Sequence, residues 1–495
     1  MSLKTRGKKF IALGLAALLM MSAAACSQEA AEAAETAAET AADYLTRDDI
    51  TVNETLENSA DGEHVIEVSG EEAEYSNTGV TKTGEADGDE ADFYGENSAI
   101  FATEKGTLTI KDSLIETNGT HANAVFSYGE GTVVSIADSV IETSGNCSGG
   151  LMTTGGGTMN AENLTINTSG NSSAAIRSDR GGGTVNVTKG YYKTTGTGSP
   201  VIYSTADITV GDAYMESTAS QGVVVEGKNS VTLKNDTLVA DNNTKNGDKS
   251  DYYQAVMIYQ SMSGDAAEGN SSFTAEGGSI TNKNGDIFFV NNTATDINLT
   301  GVSITNEDSE GDFLRAEAAG WGNEGSNGGK VNLNASAQTI EGNIIVDDVS
   351  VLNMYLKDKS AFTGAVNTDG QKGDVYVEIE DGSTWTLTAD SYVSGLTVSK
   401  GAAIDLNGHK LYVDGKEYSE GSASEGTAFE VKTESSGGSG APDGMPGDGQ
   451  APPDGGQGGP GSGGGNGKPS GNPPAKPSGD NGGEPPAKPG SDSAA

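Results

Sequence analysis

Several groups of side chains in this 495-residue sequence have the types and spacing to hold a ligand, and one is placed for a covalent modification. The run Arg177-Ser178-Asp179-Arg180-Gly181-Gly182-Gly183 sets two guanidiniums around a carboxylate and then a turn without side chains. Forked N–H donors beside such a turn can clamp a uronate or a sulfate. A salt-bridged turn is the plainer reading of the same residues, and the sequence favours it. The loop holding Asp87, Asp89 and Asp92 alternates carboxylates. Calcium takes about six to eight oxygens, and this loop offers some of them without the full spacing or the later Glu of an EF-hand. A solvated acidic loop is the alternative. Tyr252, Tyr253, Tyr259 and Trp321 cluster near loop-like stretches. Rigid aromatic faces stack on the C–H faces of sugars. Trp321, between glycines in Ala319-Gly320-Trp321-Gly322, serves either as such a platform or as a cap on the side of the fold. Trp385, in Thr384-Trp385-Thr386-Leu387, reads as packing near the C-terminal end.

Cys26 follows Ser22-Ala23-Ala24-Ala25, a basic start (Lys4, Arg6, Lys8, Lys9) and the apolar run from Phe10 to Met21. That run is short for a membrane span and suits a targeting segment. Small residues directly before a cysteine resemble a bacterial lipobox, in which the chain is cut before the cysteine and the cysteine is lipidated; Ala23 stands where such motifs usually carry Leu. With Cys26 lipidated, only Cys147 is left, so no intrachain disulfide is expected and Cys147 reads as a small turn residue. His64, His121 and His409 are scattered along the chain, which points to neither a zinc site nor a His-based triad.

The elements that carry these groups follow from a repeat. Gly106-Thr107, Gly131-Thr132, Gly157-Thr158 and Gly183-Thr184 each open a copy, and Thr-x-Gly closes each one at Gly119, Gly145, Gly170 and Gly196. A fixed period in this range marks a solenoid, propeller or array. Within a copy, Leu108 and Ile110 alternate with Thr107, Thr109 and Lys111; Asp112-Ser113 breaks the run, and Leu114-Ile115-Glu116-Thr117 follows. Period-two alternation in β-branched residues, cut by turn formers, predicts short strands. A third strand precedes each Gly-Thr, at Ala99-Ile100-Phe101, Ala124-Val125-Phe126, Gly150-Leu151-Met152 and Ala175-Ile176-Arg177. Three strands in roughly 25 residues make one coil of a parallel β-helix and fall short of a propeller blade, which needs about 40. Beyond Gly196 the lead strands recur at irregular spacing through Ile344-Ile345, and the excess sits in polar loops at 241–251, 261–270 and 316–330. Insertions in a solenoid fall on one face, often the binding face. The expected fold is an all-β, single-stranded right-handed parallel β-helix of about 11 coils, on the order of 50 Å long.

Composition sets the outer limits. Gly accounts for 72 residues and aromatics for 6%, so Val, Ile, Leu, Ala and Thr must build the core. A formal charge of −42 argues against nucleic acid and anionic membrane surfaces as direct partners. The expected organisation is a lipoprotein signal peptide at 1–25, an Ala/Glu-rich spacer at 26–47, an N-terminal cap region at 48–96, the β-helix at 97–434 and a disordered Gly/Pro/Ser-rich tail at 435–495.

From about residue 97 to 413 the chain resembles the right-handed β-helices of the pectate-lyase-like superfamily. Together with the lipobox, the whole resembles surface-anchored β-helix lipoproteins and adhesin-like proteins of bacteria. That superfamily holds lyases, hydrolases, adhesins and carbohydrate-binding proteins, so the resemblance implies architecture more than activity. Its polygalacturonases use an Asn-Thr-Asp segment, a downstream Asp pair, Gly-His-Gly and Arg-Ile-Lys. Here Asn367-Thr368-Asp369-Gly370 matches the first, but Asp347-Asp348 precedes it, Gly408-His409 continues into Lys410, and Arg-Ile-Lys is absent. Asn-Thr-Asp-Gly is also a good turn sequence. The expected function is a non-catalytic adhesive or carbohydrate-binding surface, lipid-anchored on the extracellular face of the envelope, that meets a polysaccharide or host glycan without a cofactor other than possible calcium. A lyase or hydrolase acting on uronate polymers is the alternative, and a structural envelope spacer comes third.

Overall fold

The computed structural model describes residues 44–245, 249–261, 263–370 and 372–433. The lipobox with Cys26, most of the spacer and the tail lie outside the described residues. Within them the alternation becomes a parallel solenoid. In Thr107–Lys111, Leu108 and Ile110 turn inward while Thr107 and Lys111 face out. Each inward side chain sits on its counterpart one coil away: Leu108 pairs with Val134, which pairs with Met159, then Val185, Ile208 and Val231. A solenoid coil has no partner for its apolar face except the coils above and below, so these columns are the core.

The lead strands form an 11-stranded sheet from Ile66–Ser69 to Ile344–Val346. The other two strands of each coil join a 20-stranded sheet, and sheets of four and three strands continue the stack toward the C-terminal end. Every ladder between these strands is parallel except the last, where Tyr412 pairs antiparallel with Glu417. Residues 48–96 carry strands of this same solenoid: Ile66–Ser69 stacks on Ile100–Thr103, and Thr78–Lys82 on Leu114–Thr117. The N-terminal cap region thus stacks its own strands directly on the coils that follow.

One corner explains the closing punctuation of the repeat. Where Thr-x-Gly closes a coil, the glycines stack so tightly that a Cβ on Gly170 would lie 1.8 Å from the carbonyl oxygen of Gly145, and one on Gly145 1.9 Å from that of Gly119. Three residues beyond Gly145, Gly170 and Gly196 a serine takes part in a ladder: the Ser148 backbone N–H donates to Ser173 Oγ, and the Ser173 N–H to Ser199 Oγ, both at 2.9 Å. The periodicity thus records the closest backbone approach and the hydrogen bonds beside it.

The outward face of the 11-stranded sheet is not open. Its outward column runs Phe101, Phe126, Met152, Arg177, Tyr203, Val224, Met257, Phe289 and Arg315. Phe101, Phe126 and Met152 form one buried cluster outside the solenoid, and Tyr203, Val224, Met257, Tyr259, Phe289 and Trp321 form much of a second.

Candidate functional site

Arg177 stands in that outward column between Met152 and Tyr203. A loop carrying the short helix Asp89–Phe93 folds over it. Arg177 Nη2 donates to Asp179 Oδ2 at 2.8 Å and to Asp92 Oδ1 at 3.1 Å. Arg180 Nε donates to Asp265 at 2.7 Å and Nη1 to Asp89 at 2.9 Å, with its guanidinium 3.6 Å above the Phe93 ring. The two arginines therefore grip four carboxylates of their own chain, as a salt-bridged turn does, and pin the loop to the solenoid. Burial acts against the charge of Asp92, but Arg177 and His121 outweigh it and hold this carboxyl well below the usual carboxylate range. For Asp179, only 3% exposed, burial wins over Arg177 and pushes the carboxyl up to about 7.

The same ion pairs separate the expected calcium ligands. Asp89 turns to Arg180 and Asp92 to Arg177, while the Asp87 side chain is fully exposed. Asp87, Asp89 and Asp92 do not converge into one oxygen cage, because the helical turn and the two guanidiniums point them to different partners.

The expected aromatic face is also rearranged. Tyr259 is wholly buried and Trp321 is 2% exposed. The Tyr259 and Tyr203 hydroxyls both donate to Oε2 of the buried Glu226, Tyr259 at 2.9 Å. Burial raises the Glu226 carboxyl above its ordinary value. Tyr252, half-buried, lies over the Arg315 guanidinium at 3.9 Å and donates from its hydroxyl to Glu317 at 3.1 Å. Tyr253 is not part of the buried cluster; Lys245 Nζ lies 5.9 Å from the centre of its ring. A sugar platform needs an open ring face, and Trp321 and Tyr259 have spent theirs on the apolar column beneath the 316–330 loop. Trp321 is the cap of the two roles its sequence allowed.

Asn367 occupies a turn. It has φ of 49°, is 2% exposed, and its Oδ1 accepts the Val346 N–H at 2.8 Å. Asp347 accepts from the Ala318 and Val349 N–H groups and from Ser350 Oγ. These side chains hold backbone in place.

Two features escaped the sequence reading. The first is an open groove of about 610 Å³ on the 20-stranded sheet. Its outward column is Glu116, Glu142, Asn167 and Lys193, paired coil to coil in that order, and beside it run Asn118, Ser144, Ser169 and Thr195. Its signal was present just before each closing glycine, as Glu-Thr-Asn-Gly, Glu-Thr-Ser-Gly, Asn-Thr-Ser-Gly and Lys-Thr-Thr-Gly. Residues 44–49 lie along this face as a strap. The Tyr44 ring sits 5.3 Å from that of Tyr191, Thr165 Oγ1 donates to the Leu45 carbonyl at 2.6 Å, and Arg47 pairs with both Glu116 and Glu142. The second feature corrects the view of His121 and Cys147 as isolated. They occupy the same corner of successive coils, with φ of 55° and 53°, and the His121 N–H donates to the Asn146 carbonyl next to Cys147. Asp92 joins them, and the three ligand atoms lie within 4.8 Å of one another.

No protein-family model matches the chain, and no curated protein is significantly similar to it.

Proposed function

We propose that this chain is a bacterial envelope lipoprotein, anchored through Cys26, whose right-handed β-helix of the pectate-lyase-like kind presents a non-catalytic, carbohydrate-binding surface for adhesion. The observation that carries the reading is the polar groove. Its columns repeat one coil at a time, about 4.8 Å per step, close to the length of one residue in an extended polysaccharide. Carboxylate, amide, ammonium and hydroxyl groups follow each other along Glu116, Glu142, Asn167 and Lys193 and the neighbouring Asn118, Ser144, Ser169 and Thr195. Such a series matches the alternating donors and acceptors of sugar hydroxyls. With a net charge of −42, the protein's field disfavours polyanions and leaves neutral glycans as the better partners.

The test is a glycan array probed with the full chain, with and without calcium, followed by titration of the best ligand. Asn167→Ala should weaken binding about tenfold, the loss of one good polar contact, at an unchanged melting temperature. An array with no glycan bound, or binding indifferent to both Asn167→Ala and Glu142→Ala, would remove this reading. Cys26→Ala should release the protein from the membrane fraction or leave it unprocessed; a variant processed and anchored as before would show that Cys26 is not the anchor.

A further inference from the structure

We propose that Asp92, His121 and Cys147 form a binding site for a borderline-soft divalent cation, with zinc the best fit, that staples the 85–96 loop to the side of the solenoid. The cluster supplies a thiol, an imidazole nitrogen and a carboxylate oxygen from three separate stretches of chain, all within 4.8 Å. Sulfur with nitrogen and one carboxylate suits zinc and its neighbours, whereas calcium prefers oxygen alone.

The geometry fits. His121 Nδ1 lies 3.6 Å from Asp92 Oδ1, beyond hydrogen-bond reach. Ligand atoms at about 2.1 Å from a tetrahedral ion stand roughly 3.4 Å apart, so a small adjustment would seat both on one cation. His121 is 6% exposed, and its Nδ1 is buried with no hydrogen-bond partner. A buried polar nitrogen left in that condition is costly, and a cation on its lone pair gives it a partner. The other nitrogen, Nε2, faces Asp87 Oδ1 at 3.8 Å. That is the place for a carboxylate that orients a metal-bound imidazole. A water is then available for the remaining coordination position.

Arg177 donates to Asp179 at 2.8 Å as well as to Asp92, so Asp92 is not its only carboxylate partner. A dication would be neutralised by Asp92 and by Cys147 as thiolate. Burial pushes the free Cys147 thiol up, so its proton leaves to solvent when the ion binds. The fold prepares the position: the equivalent corners of the next two coils hold Ser172 and Gly198, with φ of 55° and 63°. Ligand-type side chains occupy this corner in the two coils that meet Asp92.

The experiment titrates the full chain with Co2+ as a spectroscopic stand-in and then with Zn2+. One equivalent of Co2+ should raise an intense near-ultraviolet thiolate-to-cobalt band together with the visible bands of a tetrahedral ion, and Zn2+ should displace it while a large excess of Ca2+ does not. Cys147→Ser should abolish the ultraviolet band, His121→Ala should weaken binding at least about tenfold, and Cys26→Ser should retain the signal. Cys147→Ser keeps the fold intact, because Ser172 already fills that corner one coil on. In hydrogen exchange, Zn2+ should slow the 85–96 loop in the wild type and leave it unchanged in Cys147→Ser. Absence of a thiolate band at one equivalent would overturn the proposal. So would a band that survives Cys147→Ser, or Zn2+ binding unaffected by either Cys147→Ser or His121→Ala.

Discussion

Trp321 meets Tyr259 edge to face, with ring centroids 5.1 Å apart and planes at 64°. Tyr259 ends the strand Gln254–Tyr259, and Trp321 comes from the loop after Leu314–Ala316. This contact shuts a long insertion against the outward apolar column, and it turns residues with the chemistry of a sugar platform into an outer core. Trp321→Ala should destabilise the protein by about 3 kcal/mol in denaturant titration, and glycan binding in the groove should be unchanged. A variant of wild-type stability would mean that the loop does not depend on this ring.

The column of closing glycines is the tightest point of the stack. In Gly170→Ala the new methyl would meet the Gly145 carbonyl oxygen at 1.8 Å and its carbon at 2.5 Å, and both belong to backbone that cannot swing away. Neighbouring coils must separate, at a cost of about 3 kcal/mol. The control Ser169→Ala, one residue away and exposed, should change the unfolding midpoint little.

Asp236 makes stability depend on pH. Its side chain accepts the Ala213 N–H at 2.8 Å and the Lys234 N–H at 2.7 Å, and burial pushes the carboxyl from 3.8 up to about 7. Between those values the folded protein keeps a proton that the unfolded chain has released. The contribution is therefore complete below about pH 4 and is lost as pH rises through 7, with an upper limit of about 4 kcal/mol. Asp236→Asn carries no such proton. The stability difference between wild type and variant, measured by urea unfolding from pH 4.5 to 8, should move steadily in favour of the variant as pH rises. A flat difference would mean that Asp236 is ionised in the fold throughout.

The strap beside the groove is held by Arg47, which is paired with Glu116 and Glu142 at partly exposed positions. Arg47→Ala should speed hydrogen exchange at residues 44–49 while costing less than about 1 kcal/mol overall. High salt should bring the wild type close to the variant, since these pairs are screened. Unchanged exchange would assign the hold on the strap to Tyr44 and Leu45.

Much of the architecture was legible in the sequence because a solenoid writes its geometry as period. Alternation in Leu108 and Ile110 marked the inward face, and Thr-x-Gly at Gly119, Gly145 and Gly170 marked the corner where only a hydrogen atom fits. Each of these constraints acts between a coil and its neighbour, so it recurs at a fixed spacing. His121 and Cys147 are one period apart, and their meeting could have been read from the repeat. Asp92 could not, because its loop lies outside the repeating pattern. The same limit explains the exchanged roles of the two faces. The loops with Asp92, Tyr252 and Trp321 carry no register of their own, and their side chains were free to settle wherever apolar area and opposite charge were left uncovered. They settled on the outward column of Phe126, Met152, Tyr203 and Phe289. The sequence by itself determined the stack, its core and its corners, since those depend on contacts between successive copies of one pattern. Only the tertiary structure decided which face stays open and which residues meet there, since that depended on where irregular loops found buried area and ion pairs to offset the entropy of ordering them.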